Sequence, residues 1–229
     1  YCLSLELKRQ LLTAQSQEVV AVLEDPRVGT ACEEVLHCIL LELQSRFPFL
    51  VRSAWSGNAR EVQNLVTGRS FPLNGGREAL LVAAELVQED LVIMLPYENT
   101  FVLAAGVVCF ADRWRLSEKL GKTLREIHGP VEHYPPISKA VESFFLTLRE
   151  EHGVRIRYNF TFQGCTALHL PEDCDIGDQA VYLRVERQGL RALPSGAVLF
   201  SIRTYISPVA EIPRSSAEDV YPLDVGYQN

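Results

Sequence analysis

What this sequence lacks narrows it before any motif is read. It has no block of Lys and Arg: 22 basic residues stand against 29 acidic ones, for a formal net charge of -7 and a pI near 5.3. Neither nucleic-acid phosphates nor an anionic membrane surface would find a cationic footprint on such a chain, so neither is expected as a partner. Long apolar runs are missing too. The longest, "VLHCILLEL" and "FVLAAGVVCF", fall well short of the roughly 20 residues that a membrane-spanning helix needs. The six cysteines, at 2, 32, 38, 109, 165 and 174, form no C-x-x-C pair. That removes zinc ribbons, thioredoxin-like redox centres and covalent c-type haem attachment. Free, mostly buried thiols in a reducing compartment are the simplest expectation, and the chain is read as soluble and cytoplasmic. There is no G-x-S-x-G elbow and no H-E-x-x-H zinc helix. "GKT" at 121–123 imitates the end of a phosphate-binding loop, but the required earlier glycine would fall on Leu116.

What is present is core material. Of the 229 residues, 47% are hydrophobic, enough for one large or two small globular domains. Apolar residues at helical spacing predict helices over 5–23, over "ACEEVLHCILLELQSRF" with Thr30 as N-cap, and over "GREALLVAAELVQED". The stretch 48–76, rich in Pro, Gly, Asn and Ser, reads as loop. The period then changes. "DLVIMLP" and "TFVLAAGVVCF" predict a hairpin, "WRLSEKLGK" a short helix stopped by Gly121, and "ISKAVESFFLTLREEHG" a helix closed by Gly153. "RIRYNFTF", "AVYLRVERQ" and "AVLFSIRTYI" predict three late strands. The class expected is α+β with a mostly antiparallel sheet. Residues 1–76 are read as an N-terminal helical segment and loop packed on the core, 77–210 as the core, and 211–229 as a tail.

Alternation splits each late strand into two faces. Arg157, Arg184 and Arg203 are expected on one face, with Asn159, Glu186 and Tyr205 among them. A solvated outer face would carry such residues. So would a lined cavity whose arginines grip carboxylates or phosphates. The segment "LREIHGPVEHYPP" holds two of the five histidines, His128 and His133, among Gly129, Pro130, Pro135 and Pro136. A histidine on so fixed a backbone is a candidate ligand. A loop histidine bonded to a nearby carbonyl is the other reading. His152, just before Gly153, reads as a cation at a helix C-terminus.

The ordered set "QEDLVIML", "GVVCFADRWRLSEKLGKTLREIHGPVEHY", "RIRYNF" and "YLRVERQGLRALPSGAVLFSIRTYISP" resembles the haem-dependent oxidative N-demethylases over roughly residues 77–210. The resemblance implies a PAS-like fold and a noncovalent b-type haem with O2 as co-substrate. It implies a small amine substrate whose N-methyl group leaves as formaldehyde. By resemblance, His128 is the metal ligand. Arg157, Arg184, Arg203 and His133 are the candidate cofactor-binding residues, with Arg184 and Arg203 directed at propionates or an anionic substrate group. Glu186 and Tyr205 are the candidate catalytic residues. Electrons would come from a separate donor reductase or from the substrate itself, since the chain carries no flavin or iron–sulfur motif. A haem-binding PAS-like sensor without chemistry, or a haem oxidase with a different substrate, is the alternative. Two positions depart from the family pattern: Phe160, where Trp is frequent, and Gly189, where Thr is frequent. They imply a changed pocket.

Overall fold

The computed structural model describes residues 2–56, 59–129, 135–172 and 181–212. Three N-terminal helices, α1 (Cys2–Ala14), α2 (Ser16–Val19) and α3 (Pro26–Arg46), enclose a short strand β1 (Val20–Val22). The helix expected over 5–23 is therefore broken. Val20 to Val22 pair with the main sheet, and β-branched residues favour that extended state. Helix α3 also starts earlier than expected. Asp25 caps it by accepting the Arg27 N–H at 2.8 Å, and Pro26 fits the first helical turn, so Thr30 lies inside the helix.

The segment read as loop holds three strands, β2 (Val51–Ser56), β3 (Ala59–Asn64) and β4 (Ser70–Pro72), which form a small antiparallel sheet in the order β2-β3-β4. Its turn residues mark the ends of strands and not one long loop. Asn64 accepts the N–H groups of Val66 and Thr67 at 3.0 and 3.2 Å, and Gly68 takes φ 72°. Val51 and Val62 carry its apolar face into the core.

After α4 (Glu78–Leu86) comes the hairpin β5 (Asp90–Tyr97) and β6 (Thr100–Val107), as expected. Helices α5 (Leu116–Lys119), α6 (Leu124–Ile127) and α7 (Ser138–Thr147) cross to the late strands β7 (Arg155–Gln163), β8 (Tyr182–Ala192) and β9 (Val198–Pro208). Helix α7 ends before the expected Gly153. A separate 3-10 turn, Glu150–His152, follows and is closed by that glycine at φ 63°. In it the Arg149 N–H donates to His152 Nδ1 at 3.1 Å.

The architecture is α+β. Six antiparallel strands run in the order β1-β6-β5-β9-β8-β7, with β7 at one edge. Two apolar layers sandwich the sheet. On one face α3 and α4 pack Val35, Cys32, Leu80 and Ala83 against Leu91, Ile93 and Leu199. On the other, Leu116, Leu124, Phe145 and Leu148 from the crossover pack on Val92, Met94, Phe101, Leu190 and Val198. Buried on both sides, β5 reads as one apolar run instead of an alternation. Among the described residues no helix is long and apolar enough to cross a membrane.

Candidate functional site

The histidine of the crossover is held from its own helix. Thr123 and Glu126 close a capping box at the start of α6, with the Thr123 N–H donating to Glu126 Oε2 at 2.8 Å and the Glu126 N–H to Thr123 Oγ1 at 3.3 Å. Thr123 also bridges to Val102 of β6, which ties this one-turn helix to the sheet. At its other end the Leu124 carbonyl accepts both the His128 N–H, at 3.2 Å, and Nδ1, at 2.8 Å. His128 is half-buried. Burial pulls its pKa below the ordinary histidine value, and the positive charges of Lys119 and Arg157 act the same way, against the Leu124 carbonyl. The ring is therefore neutral at pH 7, with its proton on Nδ1 and its lone pair on Nε2. A histidine that ligates a metal is oriented by this kind of second bond. His133 lies outside the described residues.

The helices of the crossover cover one face of the late strands, and the strand register decides which side chains lie there. Asn159 opposes Glu186, Arg157 opposes Gln188 and Thr161 opposes Arg184 between β7 and β8, while Glu186 opposes Thr204 between β8 and β9. These residues share the face of Leu190 and Phe200, the face that packs against α5 to α7. We call it the inner face.

A ladder of charge-assisted bonds crosses the inner face. Asp90, at the start of β5, is almost wholly buried and accepts the N–H groups of Cys109 and Phe110 at 2.9 and 2.7 Å. Burial raises its pKa to about 6 and outweighs the attraction of Lys8, those two bonds and Arg184. The clamped turn offers its carbonyls in return. Cys109 O accepts His169 Nδ1 at 2.8 Å, and Phe110 O accepts Arg184 Nη2. Arg184 also donates to Leu168 O at 3.1 Å and, through Nε, to Glu186 Oε1 at 3.3 Å. Gln188 donates to Glu186 Oε2 at 2.9 Å, and Arg157 Nε donates to Gln188 Oε1 at 2.5 Å. Asp90, Phe110, Arg184, Glu186, Gln188 and Arg157 are thereby linked in series from the central strand to the sheet edge.

This geometry revises the expected arginine face. Arg203 and Tyr205 oppose Arg187 and Val185, so they lie on the outer face, away from Arg184, Glu186 and Arg157. Alternation separates the two sets in each strand. It does not say which sets meet across a hairpin, and here the turn places Ala192 opposite Val198. Arg203 lies over the Tyr205 ring at 5.1 Å, and Tyr205 is exposed. Arg184 is fully buried with its guanidinium turned to protein carbonyls and Glu186, which is a structural role. The two departures from the family pattern also lie on the outer face: Phe160 opposes Val185, and Gly189 opposes Ser201. A Cβ at Gly189 would stand 2.8 Å from Ser201 Oγ and 3.2 Å from Val154, which is why a larger residue is disfavoured there.

Three inner-face groups were not picked out from the sequence. Lys119 lies over the Trp114 ring at 4.5 Å. Burial lowers its pKa, with Glu118 and Glu186 opposing. Thr204 Oγ1 is buried, across from Glu186, with no hydrogen-bond partner among the described residues. Asp90 could have been suspected, since a carboxylate opening an otherwise apolar strand must find donors. Among the described residues, one concavity borders the ladder at His169 and another lies apart from it. One, of about 60 Å³, is lined by Val108, Trp114, Ser117 and His169. The other, of about 230 Å³, is lined by Glu33, His37, Cys38 and Pro194.

The chain is an α+β protein with an antiparallel sheet, a helical crossover that carries a tethered histidine, and a polar ladder buried on one sheet face. Over residues 1–220 the chain matches the family described as haem-dependent oxidative N-demethylase, alpha subunit-like, and it belongs to that family. No curated protein matches the chain.

Proposed function

We propose that this protein is a haem-dependent oxidase that uses dioxygen to oxidise a small N-methyl amine, with release of formaldehyde. The observation that carries the reading is His128. In a family named for haem dependence, it is a neutral imidazole with Nδ1 bonded to Leu124 O and its lone pair on Nε2. The other residues of this face suit a b-type haem. Lys119 and Arg157 supply positive charge near the imidazole, and Thr204 Oγ1 is a buried hydroxyl with no partner among the described residues. Haem, when bound, supplies dioxygen activation at its iron. The PAS-like description has support in the strand order. Counted from β5 alone, the last five strands run 2-1-5-4-3, with helices between the second and third.

The chain's own part is to hold, orient and deprotonate. The bond to Leu124 O fixes the His128 ring and raises the basicity of Nε2. Glu186 is the group we assign to the amine. It is nearly buried, and Arg184 and Gln188 each donate to one of its oxygens. An ammonium set against the remaining lone pairs donates there and can release its proton to the carboxylate. Tyr205 has no part in this, because it lies on the outer face. Reducing equivalents come from a separate donor polypeptide.

The test is turnover. Haem-loaded protein, a reductant, dioxygen and a panel of N-methyl amines should give one formaldehyde per amine consumed. Glu186→Gln should keep the haem spectrum while the rate falls by roughly 10²-fold or more. A haem spectrum without formaldehyde from any amine would replace this reading with a non-catalytic haem-binding role.

A further inference from the structure

We infer that Thr204 is a specificity-determining residue, whose hydroxyl takes the second N–H of an amine that Glu186 holds by the first. The inference rests on the reading of Glu186 as the group for the amine, and it adds which amines fit there.

Four buried side-chain atoms have no hydrogen-bond partner among the described residues: Gln88 Nε2, Thr100 Oγ1, Gln163 Oε1 and Thr204 Oγ1. Of these residues, Thr204 is the one that strand register sets opposite a carboxylate. Thr204 is 5% exposed and Glu186, its partner across β8 and β9, is 9% exposed. A hydroxyl carries one donor and two lone pairs, and leaving it unpaired in the interior costs free energy. Valine would fill the same shape without that cost, so the hydroxyl adds nothing to the fold.

Glu186 is placed to share a ligand with it. Its Oε1 receives Arg184 Nε at 3.3 Å and its Oε2 receives Gln188 Nε2 at 2.9 Å. Arg157 Nε donates to Gln188 Oε1 at 2.5 Å and so fixes which end of that amide meets Glu186. The carboxylate is held with lone pairs left over. The spacing suits one nitrogen. Directly opposed residues of antiparallel strands have Cβ atoms about 4.5–5.5 Å apart. Two acceptors, each about 2.8 Å from one tetrahedral nitrogen, stand about 4.6 Å apart. A protonated primary or secondary amine can therefore donate one N–H to Glu186 and another to Thr204 Oγ1. When the first proton passes to the Glu186 carboxylate, the second N–H still donates to Thr204. The nitrogen stays in place with its lone pair free. A protonated tertiary amine has one N–H and cannot make both bonds.

The test uses the full chain, haem-free and haem-loaded, and two probes, dimethylammonium with two N–H groups and trimethylammonium with one. In calorimetric titrations the wild type should bind trimethylammonium weaker by roughly tenfold or more. Thr204→Val, which removes the hydroxyl and keeps the shape, should bind both alike, and Thr204→Ser should restore the preference. Denaturant unfolding separates recognition from a structural role. With no internal bond to lose, Thr204→Val should unfold at or above the wild-type midpoint. Equal binding of the two probes by the wild type overturns the inference, and that comparison needs no variant to fold. A preference that survives in Thr204→Val overturns it too and leaves the hydroxyl to water, and a Thr204→Val midpoint below the wild type overturns it in favour of a structural bond. A preference lost in Thr204→Val, without formaldehyde from any amine, removes only the oxidase reading. Formaldehyde release without the preference removes only the assignment of Thr204, and a wild type that neither binds the probes nor releases formaldehyde removes both.

Discussion

The two faces of the β7–β9 sheet use polar and apolar residues in opposite ways. The inner face buries Arg184, Glu186, Gln188 and Thr204 beneath the crossover helices. The outer face exposes Ile156, Tyr158, Phe160 and Tyr205 and carries Arg187 and Arg203. Hydrophobicity alone would have turned the sheet over. It does not, because β9 and β5 continue the inner face into the apolar layer of Phe101 and Phe145, and register carries the polar residues along with it. A buried polar face is retained at a cost in desolvation, and each bond lost from it leaves a buried group unpaired. The inner face is therefore sensitive to single changes where the outer face is tolerant.

The sharpest break in that contrast is expected at Arg184. Arg184→Met leaves two carbonyls and Glu186 without their donor inside the protein, and loss of one partner of a buried pair costs about 3–5 kcal/mol. Denaturant unfolding of the variant measures it. Asp90→Asn comes next, at about 1–3 kcal/mol, because Cys109 and Phe110 donate to different carboxylate oxygens and Asn replaces one of them with an NH2 donor. Asp90 also gives stability a pH dependence. Folding raises its pKa from the ordinary carboxylate value to about 6. Its stabilising contribution is therefore full below about pH 4 and is lost as pH rises through 6. Unfolding midpoints taken across that window should fall with pH in the wild type, and the Asp90 component of the slope should vanish in Asp90→Asn. The smallest effects belong to the outer face. Tyr158→Ser and Arg203→Ala should each change stability by less than about 0.5 kcal/mol in the same measurement. A large loss at either would mean that the outer face is not the tolerant one.

How much of this was readable in the sequence follows from the range of each signal. The hairpin of β5 and β6, the three late strands, α4 and the α+β class are local patterns, and they were legible. Strands β2 to β4 were not, because Gly57, Asn58 and Gly68 weigh more in a composition count than the short alternations between them. Asp25 and Pro26 set the start of α3, although Thr30 has the stronger capping-box pattern. At the site, the sequence reading put Arg157, Arg184 and Glu186 on one face, as the register has them, but it put Arg203 and Tyr205 there too, which the register does not. Whether residues 184 and 203 share a face depends on the register of one hairpin turn, and alternation within a strand is blind to it. Lys119 reaches this face through the path of the crossover, and Asp90 through the fold of the turn at Cys109 and Phe110. Neither path leaves a short-range mark.

The central claim is that His128 provides the ligand for a haem on the inner face, and a rescue experiment tests it most directly. The absorption spectrum is recorded for haem-reconstituted wild type and for His128→Gly, the latter with and without added imidazole. The account predicts a Soret band of histidine-ligated haem in the wild type, its loss or strong shift in His128→Gly, and its return when imidazole fills the vacated position. A His128→Gly protein with the wild-type spectrum and no response to imidazole would contradict it.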